Sequence, residues 1–215
     1  MLLTDPVQSL LARLTPDAPR SLIALAGLPG SGKSTLAARL AAEVNAVAGP
    51  GTMAALGMDG FHLSQDALRR MPDPDALFAR RGAPWTFDVP ALAARLGAVR
   101  TAAGREDVPW PDFRHETGDP VEAAHAVQAG ARLILVEGLY LLCQADGWEA
   151  VSRSFDERWY LDTPLDVSLE RLARRHSSAW GLTRAEAEAR IAVNDRLNAE
   201  IVRHSRDLAD WRIAG

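Results

Sequence analysis

The chain has 215 residues, 47% of them hydrophobic and 24% charged, with a formal net charge of −4. That is apolar material for a single-domain core, and the charge balance gives no global attraction to nucleic acid. The one cysteine, Cys143, excludes an internal disulfide framework and reads as a buried core thiol in the apolar run LYLLC. In chain order, the first segment, MLLTDPVQSLLARL, lacks a cationic start and carries Asp5 early, so it reads as an amphipathic helix instead of a signal peptide. The longest apolar stretch, LILVEGLYLLC, is too short to span a bilayer and contains Glu137. These features point to the cytoplasm and away from a membrane.

Short apolar runs then alternate with helical patterns, as βαβ units around a parallel sheet do. Strands are expected at 21–27, 53–59, 132–138, 157–162 and 209–213, and helices at 34–47, 89–103, 164–176 and 184–205. Residues 105–120, REDVPWPDFRHETGDP, are rich in Pro, Asp and Gly and are expected to be largely loop.

GLPGSGKST, Gly27 to Thr35, matches G-x-x-x-x-G-K-[ST] and falls between a predicted strand and helix. Gly27, Gly30 and Gly32 let the backbone wrap phosphates. The N–H groups from Ser31 to Thr35 form an anion nest at a helix N-terminus. Lys33 supplies charge to the β- and γ-phosphates, and Ser34 is the expected Mg²⁺ ligand. The implied partners are ATP and Mg²⁺. In RLILVEG, Glu137 ends an apolar strand as in a Walker B segment, with Val136 where an Asp usually stands. Glu137 is therefore expected to hold a Mg²⁺-bound water alone.

MDGFH puts Asp59 at the carboxyl end of the second strand, where ligand crevices of open α/β sheets lie. Asp59 is either the base that takes a proton from an attacking hydroxyl or the cap of a helix starting near Ser64. Gly60 is expected to permit a tight turn, and His62 to bind substrate or cap a helix.

GLPGSGKST, MDGFH, RRGAPWTFD (80–88) and LILVEG together resemble the phosphoribulokinase/uridine kinase/pantothenate kinase family, in an order covering nearly the whole chain. RRGAPWTFD and VNDRLNAEIV (193–202) are similar to bacterial pantothenate kinase segments. MDGFH lies between the pantothenate kinase DGF and phosphoribulokinase DSFH forms and departs from uridine kinases, where a Tyr usually follows the Phe. The chain is shorter than a typical bacterial pantothenate kinase. It is most similar to small bacterial members, some described as sugar or fructose-transport kinases. The resemblance implies a three-layer P-loop α/β fold, a five-stranded parallel sheet of order 2-3-1-4-5, and Asn198 as a substrate contact.

LERLARRH stacks Arg171, Arg174 and Arg175 along one side of a helix, either as a solvated face or as a lid over the transferring phosphoryl. The lid reading spans about 171–185 within a single domain 1–215, with a hinge in Ser-Ser-Ala-Trp-Gly after His176. Arg80, Arg81, Asp88, Asp112, Arg114 and His115 lie in loops that form the acceptor pocket in the resembled family. Trp85, Phe87, Trp110 and Phe113 either wall that pocket or form satellite cores. Convergence of Arg81 and Arg114 would indicate an anionic acceptor; otherwise a neutral polyol or sugar fits.

The expected activity is transfer of the ATP γ-phosphoryl to an alcohol of a small metabolite, by a monomer or homodimer. Asp59 is the base, Lys33, Arg171 and Arg175 stabilise charge, and Arg174 joins the nucleotide contacts. The rival is a P-loop NTPase serving as a regulatory or transport-associated switch. No N-K-x-D guanine reader or LSGGQ-like signature is present.

Overall fold

The computed structural model describes residues 1–114 and 116–215. Its strands are β1 (Ser21–Gly27), β2 (Met53–Gly57), β3 (Val108–Arg114), β4 (Asp119–Val127), β5 (Leu133–Gly138), β6 (Glu157–Asp162) and β7 (Trp211–Ala214). Its helices are α1 (Pro6–Leu11), α2 (Lys33–Ala48), α3 (Gln65–Arg69), α4 (Pro74–Ala79), α5 (Val89–Thr101), α6 (Trp148–Arg153), α7 (Leu165–Trp180), α8 (Arg184–Arg190) and α9 (Arg196–His204).

The main sheet runs β2-β5-β1-β6-β7, all parallel. Renumbered over the five strands expected from sequence, this is the order 2-3-1-4-5. Strand β1 is apolar on both sides because both sides are covered. Leu22, Ala24 and Ala26 join the core under α5, α6 and α9, while Ile23 and Leu25 join the core under α1 and α2. A third cluster, Leu172, Ala173, Ala187 and Ile191, ties α7 to α8. Cys143 is buried in the first core, and burial pushes its thiol up to about 11. Among the described residues no helix is long and apolar enough to cross a membrane.

Residues 105–120 are not largely loop. Strands β3 and β4 form an antiparallel hairpin. Pro109 and Pro111 are tolerated because a two-stranded ribbon leaves edges that need no N–H donor. Trp110 drives the strand inward. Its ring is fully buried, and Nε1 donates to the Gly57 carbonyl oxygen at 2.9 Å, tying the hairpin to the end of β2.

The two C-terminal helical expectations also change. Ser177 to Trp180 continue α7 without a break, and the chain turns at Gly181, whose φ of +67 favours glycine. The helix expected over 184–205 is interrupted by a π turn at Ile191–Asp195 between α8 and α9. Such turns concentrate at functional positions, and this one carries Asn194 and Asp195.

Candidate active site

The segment Gly27–Thr35 links β1 to α2 at the carboxyl end of the sheet. Gly30 (φ +80) and Gly32 (φ +98) adopt conformations that side chains resist. A Cβ on Gly30 would lie 2.5 Å from the Ser168 carbonyl oxygen and 2.8 Å from Leu172 Cγ, so α7 packs directly on the loop. Helix α2 starts at Lys33 with no side-chain cap, leaving its first N–H groups for an anion. The Ser31 hydroxyl is buried without a partner among the described residues. Lys33 is buried, and its Nζ donates to the Leu28 carbonyl oxygen at 3.1 Å. Burial holds the Lys33 ammonium below the ordinary lysine range and Arg175 adds to this, against the pull of Glu137 and Asp59. Loop, helix end and buried cation form a cradle that fits a polyphosphate.

Pairing of β5 with β1 brings Glu137 to the cradle. Ser34 Oγ donates to Glu137 Oε1 at 2.7 Å, which joins the two expected Mg²⁺-associated groups. Burial raises the Glu137 carboxyl above its usual range, opposed by Lys33. Among the described residues no group of three His, Cys, Asp or Glu side chains could hold a metal. A hydroxyl beside one carboxylate suits a Mg²⁺ that is otherwise held by phosphate oxygens and water.

Asp59 lies two residues past the end of β2, in a short 3₁₀ turn. Helix α3 is capped by Ser64, whose Oγ accepts from the Ala67 N–H at 3.1 Å, so neither Asp59 nor His62 caps it. Gly60 has no positive φ. The expected tight turn is present as this 3₁₀ turn, but glycine is required there because a Cβ would collide with the Pro111 carbonyl of the hairpin. His62 Nδ1 donates to the Asp59 carbonyl oxygen at 2.7 Å, and its ring packs on Phe87 and Phe113.

A cavity of about 180 Å³ brings together Gly30, Lys33, Ser34, Asp59, Glu137 and Arg175. It also reaches His62, Arg81 and Asn198. Beside it a cavity of about 510 Å³ lies between the hairpin and α7–α8. His62, Arg81, Arg175, Asn194 and Asp195 border both.

The three arginines of LERLARRH separate. Arg175 faces Lys33 and Asp59. Arg171 lies on the other side of the loop, where Nη1 donates to the Ser31 carbonyl oxygen at 2.9 Å, and borders a different cavity with Gly32 and Thr35. Arg174 points outward, 78% exposed, and donates to Glu170 at 2.9 Å. Helical spacing put all three on one side, but the 100° step per residue turns Arg174 off the Arg171–Arg175 line.

Arg81 and Arg114 are not brought together. Arg114 is exposed at the far end of β3, bordering neither cavity. His115 lies outside the described residues. Asp88 caps α5, accepting from the Ala91 N–H at 2.9 Å, and Asp112 pairs with His125 on the exposed hairpin. Trp110 and Phe87 are core, Phe87 also borders the smaller cavity, and Phe113 borders the larger one. Trp85 is 47% exposed beneath the Arg80 guanidinium.

Asn198 is 3% exposed and fully engaged. Its Oδ1 accepts from Arg80 Nη2 at 3.0 Å, and its Nδ2 donates to Gly82 O and Asn194 Oδ1, each at 3.3 Å. Asn194 Nδ2 donates to the Arg81 carbonyl oxygen at 3.0 Å, and Tyr140 Oη to that of Gly82 at 2.6 Å. These bonds clamp Arg80–Gly82 to the π turn. Asn194, Asp195, Gln65 and Arg190 border the cavities without having been read as site residues. The four-residue spacing of Asn194 and Asn198 in VNDRLNAEIV was the one available signal, since both face inward.

No family model matches the chain. A Schizosaccharomyces pombe protein provisionally named uridine kinase C227.14 is 38% identical over 184 residues, 85% of this chain and 78% of its own length. The ATP-dependent kinase-like protein notR' of Aspergillus versicolor is 38% identical over 69% of this chain and 88% of its own. A crystal structure from Silicibacter sp. TM1040, provisionally named a fructose transport system kinase, superposes with a TM-score of 0.84 at 36% identity, covering 96% of both chains.

Proposed function

The chain belongs to the phosphoribulokinase/uridine kinase/pantothenate kinase family of P-loop kinases, and from that premise we propose that Asp59 activates an alcohol of a small metabolite to receive the γ-phosphoryl group of ATP. Its class is an ATP-dependent phosphotransferase using Mg²⁺. The observation that carries the assignment of roles is the small cavity where Asp59 meets Lys33, Glu137 and Arg175.

The acceptor hydroxyl enters beside Asp59, whose carboxylate takes its proton as the new oxygen–phosphorus bond forms. The bond between the γ-phosphorus and the oxygen bridging to the β-phosphate breaks, and ADP leaves. Lys33 and Arg175 stabilise charge on the phosphoryl oxygens as it spreads. Ser34 and Glu137 would hold Mg²⁺, which when bound neutralises phosphate charge. Helices α7 and α8 act as the lid, carrying Arg175 over the cradle and excluding water. A sugar or sugar-like alcohol is the favoured acceptor, with pantothenate-like compounds and nucleosides as rivals.

Coupled ADP release across sugars, pantothenate and nucleosides identifies the acceptor, and Asp59→Asn then tests the base. A positioned base contributes about 10²–10⁴-fold, so kcat falls by that factor while ATP affinity and Tm persist. An Asp59→Asn enzyme with undiminished kcat removes Asp59 from the mechanism. ADP release at the same rate with and without every alcohol supports the switch reading instead.

A further inference from the structure

Arg80, Asn194 and Asn198 form a closed polar knot whose hydrogen bonds admit one arrangement. A guanidinium only donates, so both asparagine oxygens face it: Arg80 Nε reaches Asn194 Oδ1 at 3.2 Å and Nη2 reaches Asn198 Oδ1 at 3.0 Å. The Arg81 and Gly82 carbonyls only accept, so both asparagine nitrogens face them, at 3.0 and 3.3 Å. Asn198 Nδ2 gives its second N–H to Asn194 Oδ1. Asn198 thus borders the small cavity with no N–H left for a ligand. Aspartate at either position would set oxygen against a carbonyl oxygen, so the network calls for asparagine at both. Asn194 and Asn198 are 8% and 3% exposed, and a satisfied buried network of this kind fixes one geometry.

The knot joins two parts of the active site. On one side, Ile191 of the π turn shares a buried cluster with Leu172 and Ala173 of α7, the helix that carries Arg175. On the other, residues 80–88 are bonded along residues 61–63. Arg81 Nη2 donates to the Leu63 carbonyl oxygen at 2.9 Å, the Leu63 N–H to that of Thr86 at 2.9 Å, and the Asp88 N–H to that of Phe61 at 2.7 Å. Residues 61–63 continue the turn of Asp59, whose carbonyl oxygen accepts from the His62 N–H at 3.1 Å. Contiguous packing and hydrogen bonds therefore run from the helix of Arg175 to the turn of Asp59. Arg80 closes that chain with two side-chain bonds, and coupling between sites is carried by such chains.

We propose that the Arg80–Asn194–Asn198 knot is a positioning device that ties α7 to the Asp59 turn across the pocket. Nucleotide that draws Arg175 inward thereby orders residues 61–63 and 80–88, and Arg80 and Asn198 act without touching either substrate. The catalytic consequence rests on the kinase reading for Asp59 and Arg175, whereas the mechanical link rests on the bonds alone.

The test is hydrogen exchange on the full chain, with and without a non-hydrolysable ATP analogue and Mg²⁺. In wild type the analogue should slow exchange in α7 and also at 61–63 and 80–88. Arg80→Met should keep analogue affinity and the slowing in α7 but lose it at 61–63 and 80–88. Arg80→Lys, which can reach one amide oxygen, should restore part of it. A merely structural role would raise exchange in Arg80→Met equally with and without analogue and leave the nucleotide-dependent difference intact. That result, or no slowing at 80–88 in wild type, overturns the proposal. Kinetics use whichever of D-ribose, D-glucose, pantothenate and uridine supports ADP release. Arg80→Met and Asn198→Ala should each lower kcat about 10-fold with KM for ATP unchanged, and the double variant should be no worse than either. Additive losses would place Asn198 on the substrate and overturn the positioning role. Lost slowing in Arg80→Met, in a chain that phosphorylates no alcohol, upholds the link and removes the kinase reading. Alcohol-dependent ADP release at wild-type kcat in Arg80→Met does the reverse.

Discussion

Arg175 borders both the transfer pocket and the larger cavity, yet the two are built by different means. In the cradle the backbone does the binding. Gly30 and Gly32 fix the path of the loop, α7 packs against it, and the unused N–H groups of α2 complete it. The cavity is instead lined by side chains, from a hairpin, the helices α7 and α8 and a π turn that meet only in the folded chain. A backbone site accepts one chemical feature, a polyphosphate, in any member that keeps the loop. A side-chain site can be rewritten residue by residue, which is where a kinase family acquires different acceptors.

Substitution of Lys33 should break this contrast most severely. Lys33 is the only lysine in the chain, so no neighbouring ammonium can replace it. Lys33→Ala is expected to lower phosphoryl transfer by about 10³-fold and weaken ATP binding with it. Steady-state kinetics with nucleotide titration checks both. Normal transfer in that variant would separate the cradle from catalysis.

Arg175→Ala sharpens the comparison, because Arg175 is shared while Arg174, its neighbour in the chain, is not. Loss of Arg175 is expected to lower kcat by about 10²-fold with KM for ATP little changed. Arg174→Ala removes an exposed pair with Glu170 and should leave kcat and KM within error. Equal effects from the two variants would mean that the orientation of α7 seen here is not the one that supports turnover.

The different construction also explains what could be read from sequence. Gly27–Thr35 and the end of β5 were legible because their chemistry is local: glycine for positive φ, lysine for charge, an apolar run ending in an acid. The parallel strands were legible because burial on both sides leaves β1 apolar throughout. The hairpin was not, because Pro109, Pro111 and Asp112 read as turn formers. Only in the folded chain do the core, Phe61 and the distant Gly57 carbonyl give Trp110 a reason to face inward. Arg114 looked equivalent to Arg81 until the hairpin carried it to an exposed end, and Asn198 looked free until Arg80 and Gly82 occupied its amide. The π turn that presents Asn194 and Asp195 leaves no residue signature of its own.

The smallest expected effect concerns His176, on the cavity wall. Burial, then Arg175 and Arg190, hold its pKa down to about 4, against 6.5 for an ordinary imidazole. Asp195, 3.7 Å from Nε2, is itself raised by burial and so opposes this only weakly. The native state therefore favours neutral imidazole, while the unfolded chain takes up a proton near pH 6.5. This contribution to stability is complete above pH 6.5 and is lost progressively as pH falls toward 4. In wild type, Tm should decline between pH 7 and pH 5 by roughly 2–4 °C more than in His176→Gln, which cannot titrate in that range. A general loss of packing in His176→Gln would lower Tm equally at both pH values, so only the difference between the slopes reports on the proton. Identical slopes would mean that His176 ionises freely in the folded protein and that the cavity wall is more open to water than its 2% exposure indicates.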